Sequence, residues 1–140
     1  MINNTAKRFF ATGFMLCSTI MPVLSTATPA EAASRHCKDV TIQVTNNTGE
    51  EIKIVDIDYF DPSAIGDWRS EPIGSHRVDN GDTWEKTRRL EKVNRKETQI
   101  RVDYKLRDID GDWGYTRHAD SDLAVCRQGS TFSVSIQPLP

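Results

Sequence analysis

The sequence has no marked excess of positive or negative charge. Its 140 residues include 18 Lys and Arg and 20 Asp and Glu, which gives a formal net charge of −2 at pH 7. A protein that binds nucleic acid through phosphate contacts normally carries a clear basic excess, often on one face. The near balance of charge therefore argues against a nucleic-acid partner.

The short motifs of common catalytic and cofactor sites are also missing. The sequence contains no Gly-x-Ser-x-Gly turn of the kind that presents a serine nucleophile. Its three histidines, His36, His76 and His118, are too widely spaced for the i, i+4 pairing of a helical zinc site. We therefore expect no cofactor, and we place a small secreted hydrolase third among the candidate functions.

Long apolar runs are confined to the beginning of the sequence. A basic pair, Lys7 and Arg8, precedes an apolar run at residues 9–24, and small and polar residues follow it. This is the order of regions in a secretory signal peptide. The run is short for a transmembrane helix, which needs about 20 apolar residues.

The small residues after the apolar run contain a candidate cleavage site. Ala30 and Ala32 have the A-x-A spacing of signal-peptide cleavage sites. We predict that residues 1–32 are a signal peptide cleaved after Ala32, or alternatively after Ala33. Residues 33–140 then form a single domain that is exported to the periplasm or the cell exterior.

Cysteine is scarce, and its positions matter. Of the three cysteines, Cys17 lies in the predicted signal peptide, which leaves Cys37 and Cys126 in the exported domain. Two thiols in an exported chain are expected to pair, whereas a zinc site would need further ligands. We predict a Cys37–Cys126 disulfide that ties the beginning of the domain to its last third.

Apolar and polar residues alternate with a period of two after the predicted signal peptide, as in β-strands. The alternation is most regular at residues 40–44, 100–106 and 132–136. Only residues 83–90 also fit a helical face, and the flanking turns favour a strand there. About seven short strands predict an all-β fold, an antiparallel β-sandwich with immunoglobulin-like or jelly-roll-like connections. A small closed barrel is the alternative.

One predicted strand changes the parity of its apolar residues. Ile52 and Ile54 share one face of an extended chain, but Val55, Ile57 and Tyr59 have the opposite parity. A β-bulge between Ile54 and Val55 would add one residue and bring both sets to the same face. A strand that is buried on both faces fits the pattern equally well.

Three alternate acids form a weak candidate calcium site. Asp108, Asp110 and Asp112 lie on a predicted tight turn where carboxylates can converge on a hard cation. The EF-hand pattern fails, because Trp113 stands where loop position six needs glycine and Ala119 stands where position twelve needs glutamate. An Asp-Gly turn explains the same residues without a metal.

A second acidic set precedes a predicted loop. Asp56 and Asp58 have the spacing of one strand face, and Asp61 follows them. These residues could meet the first acidic set in space. The simpler interpretation is a solvated strand face.

The candidate binding residues are aromatic side chains beside predicted turns and cations of one basic stretch. Exposed aromatic side chains bind protein pockets, sugars or membrane interfaces, and clustered cations bind acidic partners. The alternatives are that the aromatic residues fill a small core and that the basic stretch is a solvated strand edge. The candidates are Tyr59, Phe60, Trp68, Trp113, Tyr115, Arg88, Arg89, Arg95 and Lys96.

Residues 41–54 resemble the first hairpin of several secreted β-sandwich families, including the membrane-binding aegerolysin type. The resemblance is carried by Thr-Ile-Gln-Val-Thr-Asn-Asn-Thr-Gly at residues 41–49 and by Ile-Lys-Ile at residues 52–54. It implies a secreted β-sandwich and assigns no functional residue. We predict a non-enzymatic binding protein with a protein partner. A secreted membrane- or lipid-binding factor of the aegerolysin pore-forming type is the alternative, and a glycan is a further candidate ligand.

Overall fold

The described residues of the computed structural model, 35–63 and 67–140, form β-strands and no helix. No helix in this part of the chain is therefore long and apolar enough to cross a membrane. The predicted signal peptide, residues 1–32, lies outside the described residues, as do residues 64–66 of the predicted loop. The strands are β1 (Cys37–Asn46), β2 (Ile52–Asp61), β3 (Asp67–Ser70), β4 (His76–Val78), β5 (Thr83–Leu90), β6 (Glu97–Thr98), β7 (Ile100–Leu106), β8 (Arg117–Asp120), β9 (Ala124–Val125) and β10 (Thr131–Ile136).

The all-β prediction is confirmed. Within the described ranges there are ten strands rather than about seven, because β4, β6 and β9 are only two or three residues long. The remaining seven strands have four or more residues, and the three segments of most regular alternation lie in β1, β7 and β10. The segment at residues 83–90, which also fitted a helical face, is strand β5.

The strands form separate sheets rather than a closed barrel. One described sheet has the order β10-β1-β5, and the other has the order β3-β2-β7-β8, with β4 also pairing with β2. The ribbon of β6 and β9 is a third, two-stranded sheet. The buried residues of both larger sheets belong to one hydrophobic cluster, as in a β-sandwich.

One strand pair departs from the predicted antiparallel arrangement. Strands β1 and β10 are parallel, with Ile42 opposite Phe132 and Val44 opposite Val134. A parallel pair requires a long crossover connection, and here the crossover is most of the domain, since β1 and β10 are its first and last strands. Sequence periodicity does not reveal this, because a strand alternates in the same way in either direction.

Of the two interpretations of β2, the structure shows the bulge. Ile54 lies opposite Tyr104 and Asp56 lies opposite Asp103, so Val55 is the extra residue. Ile54 and Ile57 are both buried, although their spacing of three would place them on opposite faces of a regular strand. The bulge therefore keeps both halves of β2 in the core.

The predicted first hairpin is wrong, because β1 and β2 lie in different sheets. The connection does turn sharply at residues 46–49, where Gly49 has a φ of 94°, a conformation that favours glycine. The turn passes the chain from one sheet to the other instead of reversing it within a sheet. The sequence similarity to a hairpin therefore does not extend to the structure.

A buried asparagine stabilises this crossover. Asn46, at the end of β1, is fully buried, and its side-chain amide donates to the carbonyl oxygens of Glu50 and Val78. Its Oδ1 accepts hydrogen bonds from the backbone N–H and the hydroxyl of Thr48. Every donor and acceptor of the amide is thus satisfied, which removes the penalty for burying it.

The predicted disulfide is present between Cys37 and Cys126, both of which are fully buried. Cys37 begins β1 in the three-stranded sheet. Cys126 follows β9 and exchanges backbone hydrogen bonds with Arg95 and Lys96, at the turn that leads into β6. The bridge therefore holds the three-stranded sheet to the small ribbon that leads into β7.

We expect the double substitution Cys37→Ser and Cys126→Ser to lower the free energy of unfolding by about 4–5 kcal/mol, because the unfolded chain is no longer closed into a loop by cysteines 89 positions apart and gains conformational entropy. Urea unfolding followed by tryptophan fluorescence measures this loss. Reducing the wild-type chain should lower its stability to the same extent. A change below about 1 kcal/mol would show that the bridge does little for the fold.

A buried carboxylate orders the end of β2. Asp61 is fully buried and accepts hydrogen bonds from the backbone N–H and hydroxyl of Ser63 and, at 2.7 Å, from Nε of Arg69. The Lys96 ammonium lies 4.0 Å away. Burial by itself would raise the pKa of Asp61, but the hydrogen bonds from Ser63 and Arg69 outweigh it and lower the pKa to about 2.

We predict that Asp61→Asn destabilises the protein at pH 7 and has less effect in acid. The pKa of Asp61 is lowered from 3.8 to about 2, so its stabilisation is present above 3.8 and is lost as the pH falls towards about 2. Thermal unfolding at several pH values tests this. The exposed Asp122 serves as the control, since Asp122→Asn should change little at any pH. A destabilisation by Asp61→Asn that stays constant down to pH 2 would contradict the assignment.

Candidate functional site

The outer face of the five-stranded sheet carries most of the unusual side chains. Because Ile52, Ile54 and the apolar residues of β7 point into the core, the alternate residues of these strands point outward. Strand pairing adds outward residues of β3, β4 and β8 to the same surface. We call this surface the charged face; it comprises Lys53, Asp56, Asp58, Phe60, Trp68, Ser70, Arg77, Arg101, Asp103, Lys105, His118 and Asp120.

Carboxylates form a row across the middle of the charged face. Asp56 lies directly opposite Asp103, and Asp58 follows on the same side of β2. Burial, and then the neighbouring Asp56 carboxylate, raise the pKa of Asp103, and His118 and Arg101 reduce this effect without cancelling it. Burial raises the pKa of Asp58 as well, with further contributions from Asp56 and Asp103.

Cations form a second row beside the carboxylates. Lys53 lies directly opposite Lys105 on one side and opposite Arg77 on the other. The Trp113 ring lies over this row, with its centroid 5.8 Å from Nζ of Lys53 and 5.7 Å from Cζ of Arg77. The guanidinium of Arg107 also contacts Trp113, at 4.5 Å. Four cations and one indole thus share this end of the face.

The two rows place like charges side by side. A pair of like charges directly opposite on neighbouring strands destabilises a sheet. The charged face has three such pairs: Asp56 with Asp103, Lys53 with Lys105, and Lys53 with Arg77. Alternating the same charges between strands would stabilise the sheet, so the observed arrangement is not the one that folding alone favours.

A second aromatic group lies at the opposite end of the face. The Trp68 ring packs against Phe60, with centroids 5.9 Å apart, and against the guanidinium of Arg101, which lies 4.0 Å from the ring centroid. Arg101 also donates two hydrogen bonds to the Asp120 carboxylate, at 2.8 and 3.0 Å. These contacts fix the position of the indole, and the ring is half-buried.

The remaining aromatic candidates differ from one another. Tyr59 is only 2% exposed, and its hydroxyl bonds to the backbone of Glu91, so it is a core residue and not a surface binding residue. Tyr59 and Phe60 do point to opposite faces, as their adjacency predicts. Tyr115 is 69% exposed and stacks on Arg117, with 4.1 Å between the ring centroid and the guanidinium carbon.

The cations of the predicted basic stretch do not form one site with the aromatic residues. Arg88 points towards Glu71 and donates to the carbonyl of Pro72, and Lys96 lies near Asp61. Arg89 and Arg95 are exposed, and Arg95 has a φ of 60° in the turn before β6. These residues lie on β5 and in the turn before β6, off the outer face of the five-stranded sheet.

The weak calcium candidates form a turn that is closed by its own hydrogen bonds. Oδ1 of Asp108 accepts from the backbone N–H groups of Asp110 and Asp112, and the Asp108 N–H donates to the Asp112 carbonyl. Across the described ranges there is no group of three or more His, Cys, Asp or Glu side chains that could hold a metal ion. The second acidic set is divided, since Asp56 and Asp58 point outward and Asp61 points inward.

The outer face of the three-stranded sheet has a different chemistry. Its hydroxyl and amide groups bond to one another: Thr45 to Thr83, and Gln43 to both Glu85 and Ser133. Groups that are already paired have little to offer a ligand. The charged face is therefore a better candidate for a binding surface than the outer face of the three-stranded sheet.

A shallow cleft of about 370 Å³ lies beyond the cationic end of the charged face. Leu106, Tyr115, Arg117 and Leu139 contribute to its walls. It is open to solvent. Its lining includes Asp108 of the acidic turn, whose carboxylate is already used by that turn.

Sequence reasoning found Trp68, Trp113 and Phe60 but missed the charges between them. Asp103 and Lys105 lie on the polar side of the most regular strand, a position that is typical of ordinary solvated residues. Their significance depends on the pairing of β7 with β2, and no local signal encodes that pairing. Only the spacing of Asp56 and Asp58 hinted at a shared strand face.

We predict that Asp103→Asn stabilises the protein at pH 7 by about 0.5–1 kcal/mol, because it removes a charge that lies opposite Asp56. The raised pKa of Asp103 means that ionisation opposes folding, so the gain should disappear at about pH 3, where wild-type Asp103 is itself protonated. Thermal unfolding measures both effects. Asp120→Asn on the same face should instead destabilise, because it breaks the bond with Arg101. A less stable Asp103→Asn variant at pH 7 would refute the repulsion.

The charged face has two adjacent rows of opposite charge, an aromatic side chain beyond each row, and side chains that are half-buried or exposed. Comparison of the chain with protein-family models, curated proteins and solved structures finds no match.

Proposed function

We propose that the protein is an exported, non-enzymatic binding module that binds another protein through the charged face. The observation that carries the proposal is the pair of like-charge rows, Lys53 with Lys105 and Asp56 with Asp103. The rows destabilise the isolated sheet. A partner with the reverse charge pattern would compensate the repulsion within each row. A structural cost that only binding removes is typical of functional sites.

The charge pattern favours a protein over a polyanion or a polycation. Four acids and four Lys or Arg residues share the face, so a nucleic acid or a uniformly anionic polymer would be attracted by one row and repelled by the other. A protein surface can present both signs in register. The partly desolvated rings of Trp68 and Trp113 supply the aromatic area that protein interfaces are rich in.

The packing of the two indoles supports a protein partner more than a membrane. A membrane-binding tryptophan projects its ring towards the lipid headgroups. Trp68 and Trp113 are instead half-buried, and each ring packs against at least one guanidinium group of the chain itself.

Export is part of the same proposal. The predicted signal peptide at residues 1–32 directs the chain out of the cytoplasm. The Cys37–Cys126 disulfide is consistent with an oxidising compartment. The binding module then acts in the periplasm or outside the cell.

The proposal is tested with the oxidised protein, purified after export and immobilised, and with extracts of the exported fraction. We expect wild-type protein to retain a specific partner that a variant with Lys53→Glu and Lys105→Glu does not retain. The matched control has Lys38→Glu and Arg89→Glu. These substitutions change the net charge by the same amount, at exposed positions off the charged face. Equal retention by both variants would refute a role for the charged face.

The membrane alternative is tested in parallel by sedimentation with neutral and anionic vesicles. The binding-module proposal predicts that the wild-type protein stays in the supernatant with both vesicle types. Co-sedimentation that depends on Trp68 or Trp113 would favour the membrane alternative.

A further inference from the structure

The two rows of the charged face are complementary to each other, and this suggests which partner fits the face. The acidic row, Asp56 and Asp103, and the cationic row, Lys53 and Lys105, lie on the same two strands. Along β7 the rows are two residues apart, which corresponds to about 6.7 Å. A surface that carries adjacent rows of opposite charge can match a copy of itself that is turned around.

Two-fold symmetry produces this match. Consider an axis in the plane of the interface that runs across the strands, midway between the two rows. Rotation by 180° about it places the acidic row of one copy over the cationic row of the other. Asp56 then faces Lys53 of the second copy, and Asp103 faces Lys105. Such isologous contacts, in which one patch meets itself, are the commonest form of protein self-association.

The charges that would form these contacts have no ion pair among the described residues, and of the two carboxylates only that of Asp56 accepts hydrogen bonds, from the Ser70 hydroxyl and the Ile57 backbone N–H. Among the described residues, no ion pair includes Lys53, Lys105 or Asp103. By contrast, Arg101 is already paired with Asp120, and Arg107 with Glu51. The charges nearest the proposed axis are therefore available to a second copy.

The size of the face sets the expected strength. Four strands about 4.8 Å apart and eight residues of β2 with a rise of about 3.3 Å give roughly 500 Å² per copy. Two copies then bury about 1,000 Å², which lies at the lower limit for specific interfaces. We therefore expect a weak, reversible dimer.

We propose that the charged face binds a second copy of this chain, through two-fold pairing of Asp56 and Asp103 of each copy with Lys53 and Lys105 of the other. This inference rests on the proposed function, because it names the partner of the same face. It assigns the tryptophans to the two ends of the interface, where Trp68 of one copy approaches the Trp113 end of the other.

Sedimentation velocity of the exported, disulfide-bonded protein tests the proposal between about 5 µM and 1 mM, the range in which a small interface associates. We expect a dimer with a dissociation constant in this range that weakens when NaCl is raised from about 0.05 to 0.5 M. A wild-type protein that is monomeric throughout at low salt would overturn the inference.

Charge exchange makes the test specific to the face. One variant has Lys53→Glu and Lys105→Glu, so that both rows are acidic; the other has Asp56→Lys and Asp103→Lys, so that both rows are basic. Each variant alone should dimerise at least about tenfold more weakly than wild type, because like charges face each other across the axis. An equimolar mixture should restore association to within about threefold of wild type.

The control and the mixing step separate the possible failures. The Lys38→Glu and Arg89→Glu variant should dimerise like wild type. Dimerisation that is unaffected by either exchange variant, or that the mixture does not restore, would overturn the two-fold pairing. If the chain is monomeric but the Lys53→Glu and Lys105→Glu variant loses a different protein partner in the retention experiment, the inference fails and the proposed function stands.

Discussion

The extra residue at Val55 determines the chemistry of the five-stranded sheet. In a regular strand Asp56 would share a face with Ile54 and would point into the core. The bulge reverses this for the second half of β2, so that Ile57 enters the core and Asp56 faces outward, opposite Asp103. The acidic row, and with it the charge pattern of the whole face, depends on this single insertion. Bulges are frequent next to functional sites because they re-aim side chains in this way.

The buried polar groups and the surface carboxylate Asp103 have opposite effects on the stability of the fold. Asn46 and Asp61 are fully buried, and all the hydrogen bonds they need come from nearby backbone and side-chain groups. Asp103 lies at the surface beside a second carboxylate and has a raised pKa, whereas that of Asp61 is lowered. The first two residues therefore stabilise the fold, while Asp103 weakens it. This contrast distinguishes the residues that build the sandwich from those that we assign to binding.

Much of the local structure was predictable, because the alternation of apolar and polar residues indicates which face of a strand is buried. The strand at Ile100–Leu106 and the opposite orientations of Tyr59 and Phe60 follow from parity, whereas the bulge after Ile54 was one of two interpretations that parity allowed. The disulfide was predicted from the expected export of the domain and from the two cysteines that the exported domain contains. The first hairpin was wrong and the parallel pair of β1 and β10 was missed, because alternation does not specify which strand lies beside which.

The sequence by itself determined the all-β class, the approximate positions of the most regular strands, the polarity of their faces and the identity of the bridged cysteines. These properties depend on residues that are close in the chain or on the count of a rare residue type. Only the tertiary structure decided that Asp56 lies opposite Asp103 and that Lys53 lies between Lys105 and Arg77. Such neighbours come from strands far apart in sequence, and their register is selected by burial of the opposite, apolar face. The two rows of the charged face are thus a consequence of core packing, since each row places like charges opposite one another.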